Sequence, residues 1–168
     1  LIEIDPNRAK EQVKSVSEVV REGIQDVRGS LNRLRPGALE GRTLKDALEK
    51  MIREYQTLSN LQVDLHYEWV DVDMDVMIED TIFRVIQESM TNAVRHGHAS
   101  RMILHFFEDE EDYLIELQDN GVGFETLTYG YGLKQMMERI SILGGQLQFE
   151  SRDGFFTRVS LPKYKEGR

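Results

Sequence analysis

Gln87-Glu88-Ser89-Met90-Thr91-Asn92-Ala93-Val94-Arg95-His96 reads as the end of a helix that begins near Val76. Two glycine-bearing stretches follow, Asp119-Asn120-Gly121-Val122-Gly123-Phe124 and Gly130-Tyr131-Gly132-Leu133, and how the three are read decides the fold. At about 100° per residue, Glu88, Asn92, Arg95 and His96 share one sector of the helix surface. The apolar stripe Ile82, Val85, Ile86, Ser89 and Ala93 lies beside it. The four polar groups therefore sit at the edge of the core face. A carboxylate and an amide oxygen can hold Mg2+, and a guanidinium and an imidazole can hold phosphate. Taken alone, the same pattern is an ordinary polar helix edge.

Asp119 ends an apolar strand. Glycines at 121 and 123 permit positive φ and let backbone approach a ligand closely. A carboxylate at 119 can accept a hydrogen bond from an exocyclic amine such as adenine's. Guanine presents a carbonyl there, so two acceptors would face each other unpaired. By itself the stretch also reads as a plain turn. Gly130-Tyr131-Gly132 opens a helix expected to start at Leu133, where free backbone N–H groups and the positive dipole end favour anions. It is equally compatible with a flexible loop. No Lys-Ser/Thr follows the last glycine, so it is not a Walker loop, and it is not a dinucleotide G-x-G-x-x-G.

Outward from these stretches, residues 6–35 are expected to form one long helix. Val13, Val16, Val20, Ile24, Val27, Leu31 and Leu34 make an apolar seam with a stutter. Pro36-Gly37 stops it. Such a narrow seam fits a bundle or dimer better than a single core. A second helix begins near Thr43, capped with Asp46, and carries Leu44, Ala47, Leu48, Met51, Ile52 and Tyr55. Val63, Leu65, Tyr67 and Trp69 alternate as a half-buried strand. The acidic run at 71–75 lacks the glycine and glutamate of a calcium loop, with Val76 and Ile82 in their places, and reads as a solvated turn into a helix.

Strands are expected near 101–107 and 113–118, joined by an acidic turn. A helix with Leu133, Met136, Met137, Ile140 and Leu143 follows, ended by Gly144-Gly145. A last hairpin, near 146–151 and 155–161, turns at Asp153-Gly154. The order predicts an α+β fold. It is a two-layer α/β sandwich with helices on one face of a mixed, mostly antiparallel sheet, preceded by the long bundle or coiled-coil helix. The domains are read as 1–36 and 37–168.

The chain has 168 residues, a formal net charge of −9 and no cysteine. The acidic balance argues against nucleic acid and against contact with an anionic membrane. Disulfides and thiolate metal sites are excluded. No apolar run approaches the ~20 residues of a membrane helix. The opening Leu1-Ile2-Glu3, without Met, reads as a piece of a longer protein whose upstream part has room for membrane spans. His96 and His98 hint at zinc, but no third ligand is evident.

In combination, order and spacing resemble the ATPase fold shared by histidine kinases, DNA gyrase B, heat-shock protein 90 and MutL. Residues 87–96 are similar to its N box, 119–124 to its first glycine box and 130–133 to its second, and the resemblance covers about residues 80–162. Val27-Arg28, Leu34-Arg35-Pro36, Met137-Glu138-Arg139-Ile140 and Leu143-Gly144-Gly145 are similar to the nitrate-sensor and DesK-like branch of histidine kinases. Only five residues separate Phe124 from Gly130, so the ATP lid is expected to be short, as that branch implies. The 6–35 helix then resembles the second helix of the dimerisation and phosphotransfer bundle.

The resemblance implies ATP and Mg2+ as ligands. It implies that Asn92 coordinates Mg2+, that Arg95 and His96 approach the phosphates, and that Glu88 orients a metal-bound water or assists transfer. Asp119 would bind the adenine amine, and Thr157 would help fix adenine through water. Gly121, Gly123, Gly130, Gly132 and Leu133 would bring backbone close to the nucleotide. The implied parent is a membrane-anchored bacterial sensor with this part in the cytoplasm. It pairs with a second copy through the N-terminal helix, phosphorylates a histidine from ATP and passes the phosphoryl group to the receiver domain of a response regulator.

Two features depart from the pattern. The branch carries its phosphoacceptor in a His-Asp or His-Glu motif, and none of His66, His96, His98 and His105 stands in one. The family has Gly-x-Gly-Thr before its last strand, whereas Gly154-Phe155-Phe156-Thr157 puts Phe156 at the second glycine. The alternative reading is a non-catalytic dimerisation or nucleotide-binding regulatory module. A gyrase-like clamp needs a longer lid and a further domain.

Overall fold

The computed structural model describes Leu39 and residues 41–70 and 72–163. The expected helix over 6–35, and with it the domain at 1–36, lies outside the described residues. Helix α1 spans Leu44–Leu58. Its Thr43 cap accepts from the Asp46 amide at 3.2 Å, as that spacing predicts, while the Thr43 hydroxyl, rather than its backbone amide, donates to the Asp46 carboxylate at 2.8 Å. Leu44, Ala47, Leu48, Met51 and Ile52 form its buried stripe. Strand β1 is Gln62–Tyr67.

Helix α2, Val76–Arg95, is capped by Asp75, whose carboxylate accepts from the Met77 amide at 2.7 Å. The acidic run thus ends as a helix cap, which accounts for one of its carboxylates without a metal. Strands β2 (Arg101–Glu108) and β3 (Asp112–Asp119) form a hairpin. Helix α3, Tyr131–Ile142, and the hairpin of β4 (Gln146–Ser151) and β5 (Phe155–Pro162) complete the domain.

Two expectations need correction. Helix α3 begins at Tyr131, not Leu133, with Gly130 as its N-cap, so Gly132 lies within the first turn. A first turn has no intrahelical amide bonds to lose, and glycine is tolerated there. Met137 is 38% exposed while Met136 and Ile140 are buried. One residue further round the helix turns a side chain about 100° away from the core.

The five strands are ordered β1-β2-β3-β5-β4, with β1 parallel to β2 and every other pair antiparallel. A parallel pair needs a crossover, and α2 supplies it. Register places Met102, Leu104 and Phe106 beside Asp119, Leu117 and Ile115, and these beside Thr157 and Val159. That face meets the stripes of α1, α2 and α3 in one core. The reverse face carries cross-strand ion pairs, Arg101 with Asp64 at 2.6 Å and Arg158 with Glu116. Alternation on each strand therefore commits one face to the helices and leaves Asp119 and Thr157, though polar, on the core side.

Candidate nucleotide site

Asp119 closes β3 and is only 4% exposed. One carboxylate oxygen, Oδ1, accepts from the Gly121 amide at 2.8 Å and the Phe155 amide at 3.1 Å. Two donors on one oxygen fix the carboxylate's rotation. Its other oxygen, Oδ2, accepts from no described residue, and every fully buried polar side-chain atom among the described residues has a partner. Oδ2 is therefore not fully enclosed and can accept one further hydrogen bond. Gly154, with φ of +137°, lies directly on Asp119: a Cβ there would stand 2.0 Å from the Asp119 carbonyl oxygen.

The first glycine stretch is pinned to two neighbours. A Cβ at Gly121 would lie 2.4 Å from the Gly97 carbonyl oxygen, which accepts from the Val122 amide at 2.9 Å. Asn120 Oδ1 accepts from the Ser100 and Arg101 amides, each at 2.9 Å. Gly123 has φ of +61°, and a Cβ there would lie 2.5 Å from Ser151 Oγ and 2.7 Å from the Gly154 oxygen. Ser151 Oγ also accepts from the Phe124 amide at 3.1 Å. Gly121 and Gly123 thus serve contacts within the protein. Asn120, Ser151, Gly97 and Gly154 complete the brace; sequence reasoning gave Gly154 a turn and the other three no role. Asn120 stood inside the motif and was the one detectable signal.

The second glycine stretch faces α2. Glu88 is half-buried, and a Cβ at Gly132 would lie 2.1 Å from its Oε1. Leu133 packs half-buried against the core, while Gly130 is exposed, with nothing within 4 Å of where a Cβ would be. Asn92 is half-buried, and its carbonyl accepts the His96 and Gly97 amides that end the helix. Arg95 is half-buried in the last turn, and His96 is exposed at the C-cap. The structure joins Glu88 to Gly132 and Asp119 to Gly121. It shows no hydrogen bond from His96 to either pair.

Thr157 is 2% exposed on the core face, in register with Leu117 and Phe149. Phe156, one residue earlier, points to the reverse face, where it is 5% exposed under the Arg152 guanidinium at 4.2 Å. The ring at the family's glycine position therefore lies on the opposite face of the sheet from Asp119 and Thr157. A row of rings, the half-buried Phe124, Phe155 and Phe149 and the exposed Tyr129, spaced 5.3, 5.5 and 6.4 Å, runs from the first glycine stretch to the segment before Gly130. Burial, and then the charge of Glu79, push Tyr67 up to about 12. Burial also raises Glu79.

The sheet order, the polar edge of α2 and the braced aspartate coincide with a family match over residues 77–165, described as histidine kinase-, DNA gyrase B-, and HSP90-like ATPase. The chain belongs to that family. Among named relatives it is similar to the signal transduction histidine-protein kinase/phosphatase UhpB of Salmonella typhimurium, 34% identical over 94% of this chain and 32% of that one. It is also similar to the sensor histidine kinase LiaS of Bacillus subtilis, 28% identical over 92% and 43%. The chain spans less than half the length of these relatives. Among solved structures, the Acinetobacter baumannii histidine kinase AdeS shares the fold with a TM-score of 0.63 at 19% identity, over 98% of this chain and 88% of that one. The ATP binding domain of PrrB from Mycobacterium tuberculosis does so at 0.60 and 20%, over 71% and 93%. Among the described residues no helix is long and apolar enough to cross a membrane.

Proposed function

We propose that this chain is the ATP-binding catalytic part of a sensor histidine kinase. Asp119 carries the reading: its carboxylate is nearly buried, held through one oxygen by two amides, and open at the other. Such a group selects an amine on a base edge, and adenine offers one where guanine offers a carbonyl. With the base at Asp119 and Thr157, the cleft leads along α2 toward Glu88 and the start of α3, where helix-terminal amides favour phosphate.

Asn92 is the oxygen donor placed to hold Mg2+. No three His, Asp or Glu side chains cluster among the described residues, so the remaining ligands would be water and phosphate oxygens, the usual preference of this ion. Bound there, Mg2+ would neutralise phosphate charge during transfer. Arg95 and His96 supply positive groups for the phosphates, and Glu88 orients water or the acceptor. In the whole protein the γ-phosphoryl group passes to a histidine on the bundle helix outside this chain, then to a receiver aspartate. That parent is a homodimer anchored in the membrane, with this part on the cytoplasmic side.

Titration calorimetry with a non-hydrolysable ATP analogue and Mg2+, beside the GTP analogue and Asp119→Ala, tests this. Binding of the ATP analogue alone, lost in the variant, is expected. Equal binding of both nucleotides, or of neither, sinks the reading.

A further inference from the structure

Gly132 sits where its own helix gains nothing from glycine. It lies in the first turn of α3, where alanine is the better helix former, and its φ is not in the left-handed region. Yet the three atoms nearest to a Cβ at this position all belong to one side chain: Glu88 Oε1 at 2.1 Å, Cδ at 3.1 Å and Cγ at 3.6 Å. No backbone atom stands among them. A methyl group here would therefore be accommodated by swinging the Glu88 carboxylate away, with the fold left in place. Gly121 differs, because its three nearest contacts are all backbone. Gly130 differs too, because it has no contact at all within 4 Å.

We infer that Gly132 is a positioning residue for Glu88: the space left by its missing side chain is where the carboxylate stands against the first turn of α3. The turn has a use for that charge. Gly130 caps α3 without a side-chain hydrogen bond, and no acidic residue occupies the first turn. A carboxylate brought from α2 supplies the negative group that a helix N-terminus favours. The carboxylate is thereby held at the phosphate end of the cleft. This consequence rests on the proposed nucleotide reading, while the packing of Glu88 on Gly132 does not.

The test has one arm without nucleotide and one with it. In the free chain, Glu88→Asp withdraws the carboxylate by one methylene, and the Gly132 amide resonance in a nitrogen–proton correlation spectrum should move while that of Gly41 stays. Gly132→Ala should shift the thermal midpoint by no more than about 2 °C, since only a flexible side chain yields and the helix gains an alanine. With Mg2+ and the ATP analogue, Gly132→Ala should weaken affinity about tenfold, and Glu88→Asp placed in that background should recover most of the loss. An unmoved Gly132 resonance overturns the inference. So does a loss from Gly132→Ala that is the same with Glu88 or Asp at position 88, which would mean that the methyl group meets the nucleotide itself. If the wild-type chain binds no analogue, the nucleotide reading falls and the resonance shift still decides the positioning.

Discussion

The two glycine stretches that bound the cleft are held in opposite ways. Residues 119–124 are braced by protein on two sides: Gly121 against Gly97, Gly123 against Ser151 and Gly154, and Asp119 by two amides. Residues 130–133 have almost no brace. Gly130 faces open space, α3 starts without a side-chain cap, and Gly132 meets one side chain. Glycine therefore does two different jobs in motifs of similar appearance. In the first it lets backbone meet backbone, so one end of the cleft is built before a ligand arrives. In the second it leaves room for a carboxylate and, on our reading, for phosphate. A preorganised end suits recognition of a rigid base, because little ordering remains to be done on binding.

The largest expected effect comes from behind the braced end. Phe156→Gly removes a ring that is 5% exposed on the reverse face. Loss of a buried ring costs about 3–5 kcal/mol, and glycine in a strand adds to it. A fall of about 10 °C in the thermal midpoint is expected. Below that transition, affinity for the ATP analogue should stay within about twofold, because the ring lies on the other side of the sheet from Thr157. A collapse of affinity in folded protein would mean that the two faces are coupled. Next in size is Gly121→Ala, which drives a methyl group to 2.4 Å from a carbonyl oxygen. Overpacking of this kind costs about 1–3 kcal/mol. Both stability and nucleotide affinity should fall, since the Gly121 amide also holds Asp119. Calorimetric unfolding that matches wild type would break the contrast between the two stretches.

Asp119→Asn sharpens the contrast without deleting the side chain. The two amides at Oδ1 dictate that the new amide presents its oxygen to them and its nitrogen to the cleft. Stability should drop by about 1 kcal/mol. Affinity for the ATP analogue should fall at least about tenfold, and the preference over the GTP analogue should narrow, because a donor now faces the base edge. An unchanged preference in competition titrations would place the base elsewhere.

Much of this was legible in residue order. Alternation and helical spacing located every described element to within a residue or two, because each buries one face and its polar side is free to signal the period. The start of α3 escaped because two glycines read as loop, although a first turn asks little of its residues. Met137 escaped because apolar identity was counted where angle decides. In the site, Glu88, Asn92 and Asp119 announced themselves by motif. Ser151 and Gly97 did not, since their importance arises from contacts between segments far apart in the chain. The meaning of Phe156 was likewise invisible until register assigned it to the reverse face.

Gly130→Ala is the smallest perturbation and the most discriminating. Nothing lies within 4 Å of the new methyl group, and the backbone at φ −69° and ψ 178° suits any residue. Alanine is a poorer N-cap than glycine, but it also restricts the unfolded chain, and the two effects oppose each other. Stability should change by no more than about 0.5 kcal/mol. If glycine is present at 130 so that backbone can approach phosphate, affinity for the ATP analogue should still fall several-fold, with adenosine affinity untouched because the base end is remote. Loss of adenosine binding as well would mean that the unbraced stretch reaches the base, and the division of the cleft into a built end and an open end would fail. Unchanged affinity for both would assign the work at the phosphate end to Gly132 and Glu88 alone.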